Sequence, residues 1–349
     1  MRTRHTVAAL CTLAACTASL TTDAQLTGIT WDGEMVALYT DGQGNVIGDT
    51  GSTEFNSLTR MADGSILAAS YGSPADLITI DPWTGAGTFF THSGLSDIRA
   101  IAGSPEGWLY LIHKAGAQSE LWVYDFSPGG GLFHKTLIGY TSLVGVQGME
   151  FSPGGELYAW STSYGLMVID RFTAVCTDVN PAVGGSSDIQ TLDFAPDGTL
   201  YGAYEQLYTI DTTTGVPTPV GGGSYASVRG IVYDPASAPT LFAPSDLAPG
   251  ATLDLDLAGQ PGAGYAVGLA LDSGPICPGA LPFCLDLGPT GASVVLLPIG
   301  ALSASGAASL SLPTPADPLL SGLELHWQAV TFTTGYGPRK TPAVTTVFL

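Results

Sequence analysis

VQGMEFSPGGELYAWSTSYGLMVID, residues 146–170, holds two phrases that recur along the chain. In the first, Val146-Gln147-Gly148-Met149 leads through Pro153 and Gly155 to the pair Leu157-Tyr158. In the second, Leu166-Met167-Val168-Ile169 runs apolar and stops on Asp170. The first phrase returns as Ile98-Arg99-Ala100-Ile101, with Pro105, Gly107, Leu109 and Tyr110, and as Ile189-Gln190-Thr191-Leu192, with Pro196, Gly198, Leu200 and Tyr201. Phe55-Asn56-Ser57-Leu58 keeps the same register to Gly64, Ile66 and Leu67. Val228-Arg229-Gly230-Ile231 reaches Pro235 and, after a two-residue insertion, Leu241-Phe242. The second phrase ends again on Asp81, Asp125 and Asp211, with a weaker copy at Ala37-Leu38-Tyr39-Thr40-Asp41. These aspartates stand 40, 44, 45 and 41 residues apart.

Units of about 40–50 residues built from short strands are the sequence mark of β-propeller blades. One such sheet has two apolar faces and cannot bury both alone, so neighbours stack around an axis. The apolar runs are four to six residues long, punctuated by Gly, Pro, Asp and Thr, and no stretch keeps a helical period. The strand that stops on Asp41 precedes the first copy of the first phrase, and the copy at Val228 has no Asp-ended strand after it. Together these orphans complete one blade, with residues 228–243 inside and the start of the chain outside. The expectation is an all-β protein: a five-bladed propeller closed over residues 26–243, followed by a β-sandwich. Leu26-Thr27-Gly28-Ile29-Thr30-Trp31 also resembles the first phrase, which leaves an abbreviated sixth blade as the alternative.

Residues 1–24 read as a secretory leader: Arg2 and Arg4, an apolar run from Val7, then small residues to Ala24. Within it Leu13-Ala14-Ala15-Cys16 resembles a bacterial lipoprotein box, so two readings stand, plain secretion after Ala24 or a lipid anchor at Cys16. The propeller domain is placed at 25–243 and the C-terminal domain at 244–349. That last region is nearly uncharged and alternates in six to eight short strands, which reads as a sandwich. The whole chain is 11% charged with a net charge of −20, which argues against nucleic acid and anionic membrane surfaces as partners. No transmembrane span is expected. Cys277 and Cys284 frame a tight loop and are expected to pair in an oxidising compartment. Cys176 reads as a small buried apolar residue.

Catalytic motifs are missing. His5, His92, His113, His134 and His326 are scattered without metal-ligand spacing, and no nucleophile elbow, phosphate loop or dinucleotide fingerprint occurs. No metal, cofactor or catalytic residue is assigned. The repeated aspartates sit before Thr-Gly, Pro-Gly or Thr-Ala, where Asp satisfies turn N–H groups. Asp41-Gly42-Gln43-Gly44-Asn45 lacks a full calcium-ligand pattern and reads as a turn. Trp83, Trp108, Trp122, Trp160 and Tyr225 fit packing between blades or, alternatively, sugar contacts. The second position of the first phrase differs from its surroundings. It reads Asn56, Arg99, Gln147, Gln190 and Arg229, polar throughout among apolar or small neighbours. If this strand is the innermost of each blade, these side chains ring one mouth of the channel, with Glu54, Asp97 and Asp188 at the rim. Hydration of the channel is one role for such a ring; a binding site is the other, since five-fold convergence concentrates polar groups in a concavity.

The Leu-Tyr-x-Ile-Asp-x-x-Thr-Gly phrase following Pro-Asp-Gly-x-Leu-Tyr resembles the repeats of secreted bacterial propellers of the NHL and related groups, over residues 26–243. The ending from Leu310 through Leu323-Glu324-Leu325-His326-Trp327-Gln328-Ala329-Val330 resembles C-terminal sandwich modules of secreted planctomycete-type proteins. The resemblance implies a fold and an extracellular or cell-surface location, and no settled activity. Three functions fit these residues: a non-catalytic extracellular binding or scaffold protein recognising protein or polysaccharide, a glycan hydrolase or lyase with Asp97 and Asp188 as its acids, and a structural cell-surface protein.

Overall fold

A computed structural model describes residues 26–39, 42–126, 134–222, 225, 227–233, 239–279, 281, 284–288, 294–332 and 338–349. The leader, Cys16, Asp41 and Pro235 lie outside the described residues. Those described are all-β, apart from a single 3-10 turn at Pro318–Leu320. The repeat region forms consecutive antiparallel sheets. Strands β1 (Leu26–Thr30), β2 (Glu34–Leu38) and β3 (Gly44–Asp49) pair in order. Next come β4 (Phe55–Arg60), β5 (Ile66–Ser70), β6 (Asp76–Ile80) and β7 (Gly87–His92), then β8 (Ile98–Gly103), β9 (Trp108–Ala115), β10 (Gln118–Asp125) and β11 (His134–Thr141). A further sheet holds β12 (Val146–Phe151), β13 (Leu157–Ser161), β14 (Gly165–Ile169) and β15 (Cys176–Asp178), and another β16 (Thr191–Phe194), β17 (Leu200–Ala203), β18 (Leu207–Ile210) and β19 (Pro217–Val220). Finally β20 (Val228–Tyr233) pairs antiparallel with β1, giving the order β20-β1-β2-β3. Strands β4, β8, β12, β16 and β20 touch one another in a closed cycle. Four-stranded antiparallel sheets around such a cycle are a propeller-type arrangement.

Local chemistry explains the turns. The hairpins joining the first and second strands carry Gly64, Gly107, Gly155 and Gly198 at φ between 85° and 90°, and a Cβ there would meet nothing within 4 Å. Glycine is used at these sites for backbone conformation alone. Three of the aspartates that end the third strands work as turn acceptors: Asp81 Oδ1 accepts from Trp83 N and Thr84 N, and Asp170 and Asp211 repeat the pattern.

Side chains lace the inner strands together. Ser57 Oγ accepts from Ile101 N at 3.0 Å and Thr59 Oγ1 from Gly103 N at 2.9 Å, joining β4 to β8. In the same positions Thr191 Oγ1 accepts from Ile231 N at 3.0 Å and the Asp193 carboxylate from Tyr233 N, joining β16 to β20. Where the phrase has glycine instead, the strands close up further: a Cβ on Gly230 would lie 2.4 Å from both Cβ and N of Leu58.

Thr240–Phe242 does not extend the closing sheet. It pairs with Thr252–Ala258, which pairs with Ala307–Pro313. A larger sheet runs Asp246–Leu247, Val344–Phe348, Glu324–Phe332, Gly264–Ala270 and Val295–Leu296. Leu253, Leu255 and Leu257 of the first share one apolar core with Val267, Trp327, Ala329 and Phe348 of the second. Cys277 and Cys284 form a disulfide. This C-terminal region packs on the propeller. Leu285, Leu287 and Val330 join the core of Ile29, Met35 and Ile47. Gln43 Oε1 accepts from Cys284 N at 2.6 Å, Asn45 Nδ2 donates to Pro338 O at 2.7 Å, and Arg339 Nη2 donates to Pro82 O at 2.6 Å. Among the described residues no helix is long and apolar enough to cross a membrane.

Candidate functional site

The polar second position of the phrase has a backbone cause. In β4, β8, β12 and β20 the pairing register slips between the first and third residues, so Asn56, Arg99, Gln147 and Arg229 each occupy a β-bulge. Gln190 lies just ahead of β16, its N–H donating to Ala203 O at 2.9 Å. A bulge leaves one residue outside the ladder and re-aims its side chain. The residue ahead of the bulge is in the left-handed region in all four cases: Glu54 at φ 65°, Asp97 at 47°, Gly145 at 64° and Ser227 at 45°. A non-glycine residue held there costs about 1–3 kcal/mol and such sites cluster where function needs them. The carbonyls of these residues accept from the ends of the second strands: Tyr71 N to Glu54, Lys114 N to Asp97 at 3.1 Å, Thr162 N to Gly145 at 2.9 Å and Trp31 N to Ser227 at 3.0 Å. Trp31, Tyr71, Lys114 and Thr162 therefore form a second set of equivalent residues at the same mouth.

Contacts between the two sets join them into one surface. The Arg229 guanidinium stands 5.3 Å from the Trp31 ring centroid and 5.0 Å from that of Tyr204, which directly follows β17. Its Nη1 donates to Gln190 Oε1 at 2.9 Å, while its Nε is buried without a hydrogen bond. Trp31 and Tyr71 meet at 5.9 Å, and Arg99 stands 5.9 Å from Tyr71. Arg99 Nη2 donates to Asp97 Oδ2 at 3.0 Å; the closer Nε–Oδ1 approach of 2.6 Å is too oblique to be a hydrogen bond. Burial, reinforced by the charge of Arg99, lowers the pKa of Arg229 despite the opposing influence of Tyr204. Asn56 is buried and donates to Ile98 O at 2.9 Å, so it ties two sheets together. Gln190 donates from Nε2 to Ser187 O at 2.7 Å, and Asp188 is exposed. A hollow of about 410 Å³ opens beside Arg99, between β9–β10 and β12, lined also by Lys114, Gln118, Ser119 and Gln147.

The far end of the ring carries a different chemistry. A cavity of about 430 Å³ is lined by Arg60, Glu150, Phe151, Asp193, Phe194 and Tyr233, among others. Burial and then the charge of Asp193 hold the Glu150 carboxyl well above the usual carboxylate range, against hydrogen bonds from Phe151 N and Thr59 Oγ1. Burial raises Asp193 to about 7, against hydrogen bonds from Tyr233 N and Phe194 N and the charge of Arg60. The two acids that interact in the channel are thus Glu150 and Asp193, both absent from the expected site. Aligning the fifth position of the phrase finds them: it reads Thr59, Ala102, Glu150, Asp193 and Val232. Of the expected aromatics, Trp160 is fully buried and donates to Ser186 O at 2.9 Å, Trp122 donates to Glu120 at 2.9 Å, and Trp83 lies under Arg339. Cys176 is half-buried, and burial pushes its thiol up to about 11. Among the described residues no three His, Cys, Asp or Glu side chains gather where they could hold a metal.

No family model and no curated protein matches the chain. Solved structures similar to it include the extracellular domain of a protein assigned as a one-component system in B. thetaiotaomicron, at 10% identity over 93% of this chain and 56% of that one, with a TM-score of 0.34. This chain therefore spans little more than half the length of that protein. Another is the PQQ-bound aldose sugar dehydrogenase of Streptomyces coelicolor, at 13% identity over 86% of this chain and 96% of that one, with a TM-score of 0.36. A puromycin hydrolase matches at 13% identity over 68% of this chain and 51% of that one, with a TM-score of 0.34. Scores this low carry no argument, and the architecture stands on the sheets themselves.

Proposed function

We propose that the chain is a non-catalytic extracellular binding module: a five-bladed propeller closed by β20 on β1, carrying a C-terminal β-sandwich, with its ligand site at the mouth where the inner strands begin. One observation carries the reading. Asn56, Arg99, Gln147 and Arg229 all sit on bulges behind left-handed residues, and the arginines stand against Tyr71, Trp31 and Tyr204. Strained backbone and aromatic faces with polar groups between them suit recognition of a polysaccharide. Asn56 serves as a brace beneath the surface, while Asp97 and Asp188 form its rim. The disulfide supports an oxidising, extracellular setting, reached by way of the leader at residues 1–24 with or without a lipid at Cys16. A glycan array probed with the wild-type protein and with Arg229→Ala tests the reading. Binding of at least one glycan class that is lost in the variant, with the thermal midpoint kept, is expected; binding that the variant leaves unchanged overturns it.

A second reading, a glycan hydrolase, is favoured by Glu150 and Asp193 in place of Asp97 and Asp188, because their raised pKa values suit acid–base work beside a cavity. The carboxylates already accept from Thr59, Phe151 and Tyr233, which fits a bracing role better. Reducing-sugar release from a polysaccharide panel, abolished by Glu150→Gln, would establish the hydrolase.

A further inference from the structure

We propose that the hollow between β9–β10 and β12 is a carboxylate subsite, so that the sugar recognised at this mouth is an acidic one, a uronic acid residue within a polysaccharide. The inference rests on the mouth being the binding site and adds the chemistry of its ligand.

The charge distribution is the first ground. The chain has 30 acidic and only 10 basic residues, yet the hollow is lined by Arg99 and Lys114 and by no carboxylate. Lys114 is exposed and its ammonium has no ion-pair partner among the described residues. Asp97 holds Arg99 through Nη2 and lies against Nε, which leaves Nη1 for a ligand. A carboxylate placed between a guanidinium edge and an ammonium gains charge-assisted hydrogen bonds from both. Gln118, Ser119 and Gln147 are the other polar side chains of the lining, offering amide and hydroxyl groups to the ring hydroxyls that flank a sugar carboxylate.

The second ground is the division of the mouth. At the equivalent second-strand ends, two sheets present Trp31 and Tyr71, whereas the sheet that builds the hollow presents Lys114. Aromatic faces accept the apolar face of a pyranose, and the adjoining sheet, whose β8 packs on β4, supplies Lys114 and Arg99. Arg99 joins the halves, since it both lines the hollow and stands 5.9 Å from Tyr71. A neutral sugar would leave Lys114 without a counter-charge in the complex; a uronate supplies it. Gly145, which also lines the hollow, has its Cβ position 2.2 Å from Thr162 Oγ1, so a larger residue would crowd the rim.

The test is isothermal titration of the full chain with oligomers of galacturonate, glucuronate and mannuronate, each against its methyl ester, which keeps the ring and hydroxyls but removes the charge. At least one acid form is expected to bind about tenfold or more tightly than its ester, the effect of about 1.4 kcal/mol from a charge-assisted contact. Lys114→Gln should erase that preference while leaving ester affinity within about twofold, and Arg99→Gln, which also stands against Tyr71, should lower acid affinity by a larger factor than ester affinity. Lys114 is exposed, so its variant does not endanger folding, and a thermal melt checks Arg99→Gln. Equal affinity for acid and ester, a preference that survives Lys114→Gln, or no binding of any acid oligomer overturns the carboxylate subsite. The two readings are separable: a neutral glycan whose binding Arg229→Ala abolishes would keep the mouth as the site while removing its acidic specificity.

Discussion

Asp193 and Glu150 are acidic residues at a position where the phrase otherwise carries Thr59, Ala102 and Val232. Their cost can be measured. Burial lifts Asp193 from 3.8 to about 7, so between about pH 4 and pH 7 the folded protein keeps a proton that the unfolded chain has released. Stability must then fall as pH rises through that window, by an amount on the order of a few kcal/mol. Thermal midpoints are expected to drop from pH 4 to pH 7, and Asp193→Asn, which still accepts from Tyr233 N, should flatten the slope. A variant with the wild-type slope would show that the proton sits elsewhere. Single residues were the hardest level to read in the sequence. The polarity of the phrase's second position was legible because five copies agree in it. Trp31, Tyr71 and Lys114 were hidden because their shared position, one residue after or near the end of the second strand, reads as aromatic, basic or hydroxyl with no common chemistry. Glu150 and Asp193 were hidden because only two of five copies are acidic.

At the scale of strands, the turns were legible and the bulges were not. Asp before Thr-Gly and Gly in Pro-x-Gly hairpins act locally, so their roles can be read without tertiary contacts. A bulge is fixed by how two strands meet, and neither strand announces it alone. The inner strands also pack more tightly than any single strand implies. Gly230 faces Leu58 with no room for a methyl group. Gly230→Ala is therefore expected to destabilise by about 1–3 kcal/mol through overpacking, seen as a lower denaturant midpoint with an unchanged slope. Removing the lacing tests the same packing from another side. Thr191→Val leaves Ile231 N–H buried without its acceptor and should cost about 1–3 kcal/mol. Wild-type stability in Gly230→Ala would mean that β20 and β4 do not close up as described, and in Thr191→Val that β16 and β20 are not laced.

For the whole molecule, the repeat and the offset between its first and last copies anticipated the pairing of β20 with β1. The attachment of the C-terminal region was not legible, because its residues have no repeat to compare. Lys340 is buried, donates to Cys284 O at 3.0 Å, lies 3.7 Å from Asp286 and stands 4.9 Å from the Tyr39 ring. With Arg339 over Trp83 it fastens the C-terminal sheets to the propeller. The two regions should therefore unfold in one calorimetric transition, and Lys340→Ala should separate it into two. Two transitions in the wild type would contradict this coupling.

Whether ligand binds at the mouth is decided by amide hydrogen exchange on the wild-type chain with its best-bound array glycan. Protection is predicted at residues 54–57, 97–100, 145–148, 188–191 and 227–230, the strand starts that carry the bulged and rim residues. Protection confined to the Glu150–Asp193 cavity or to residues 244–349 would contradict it.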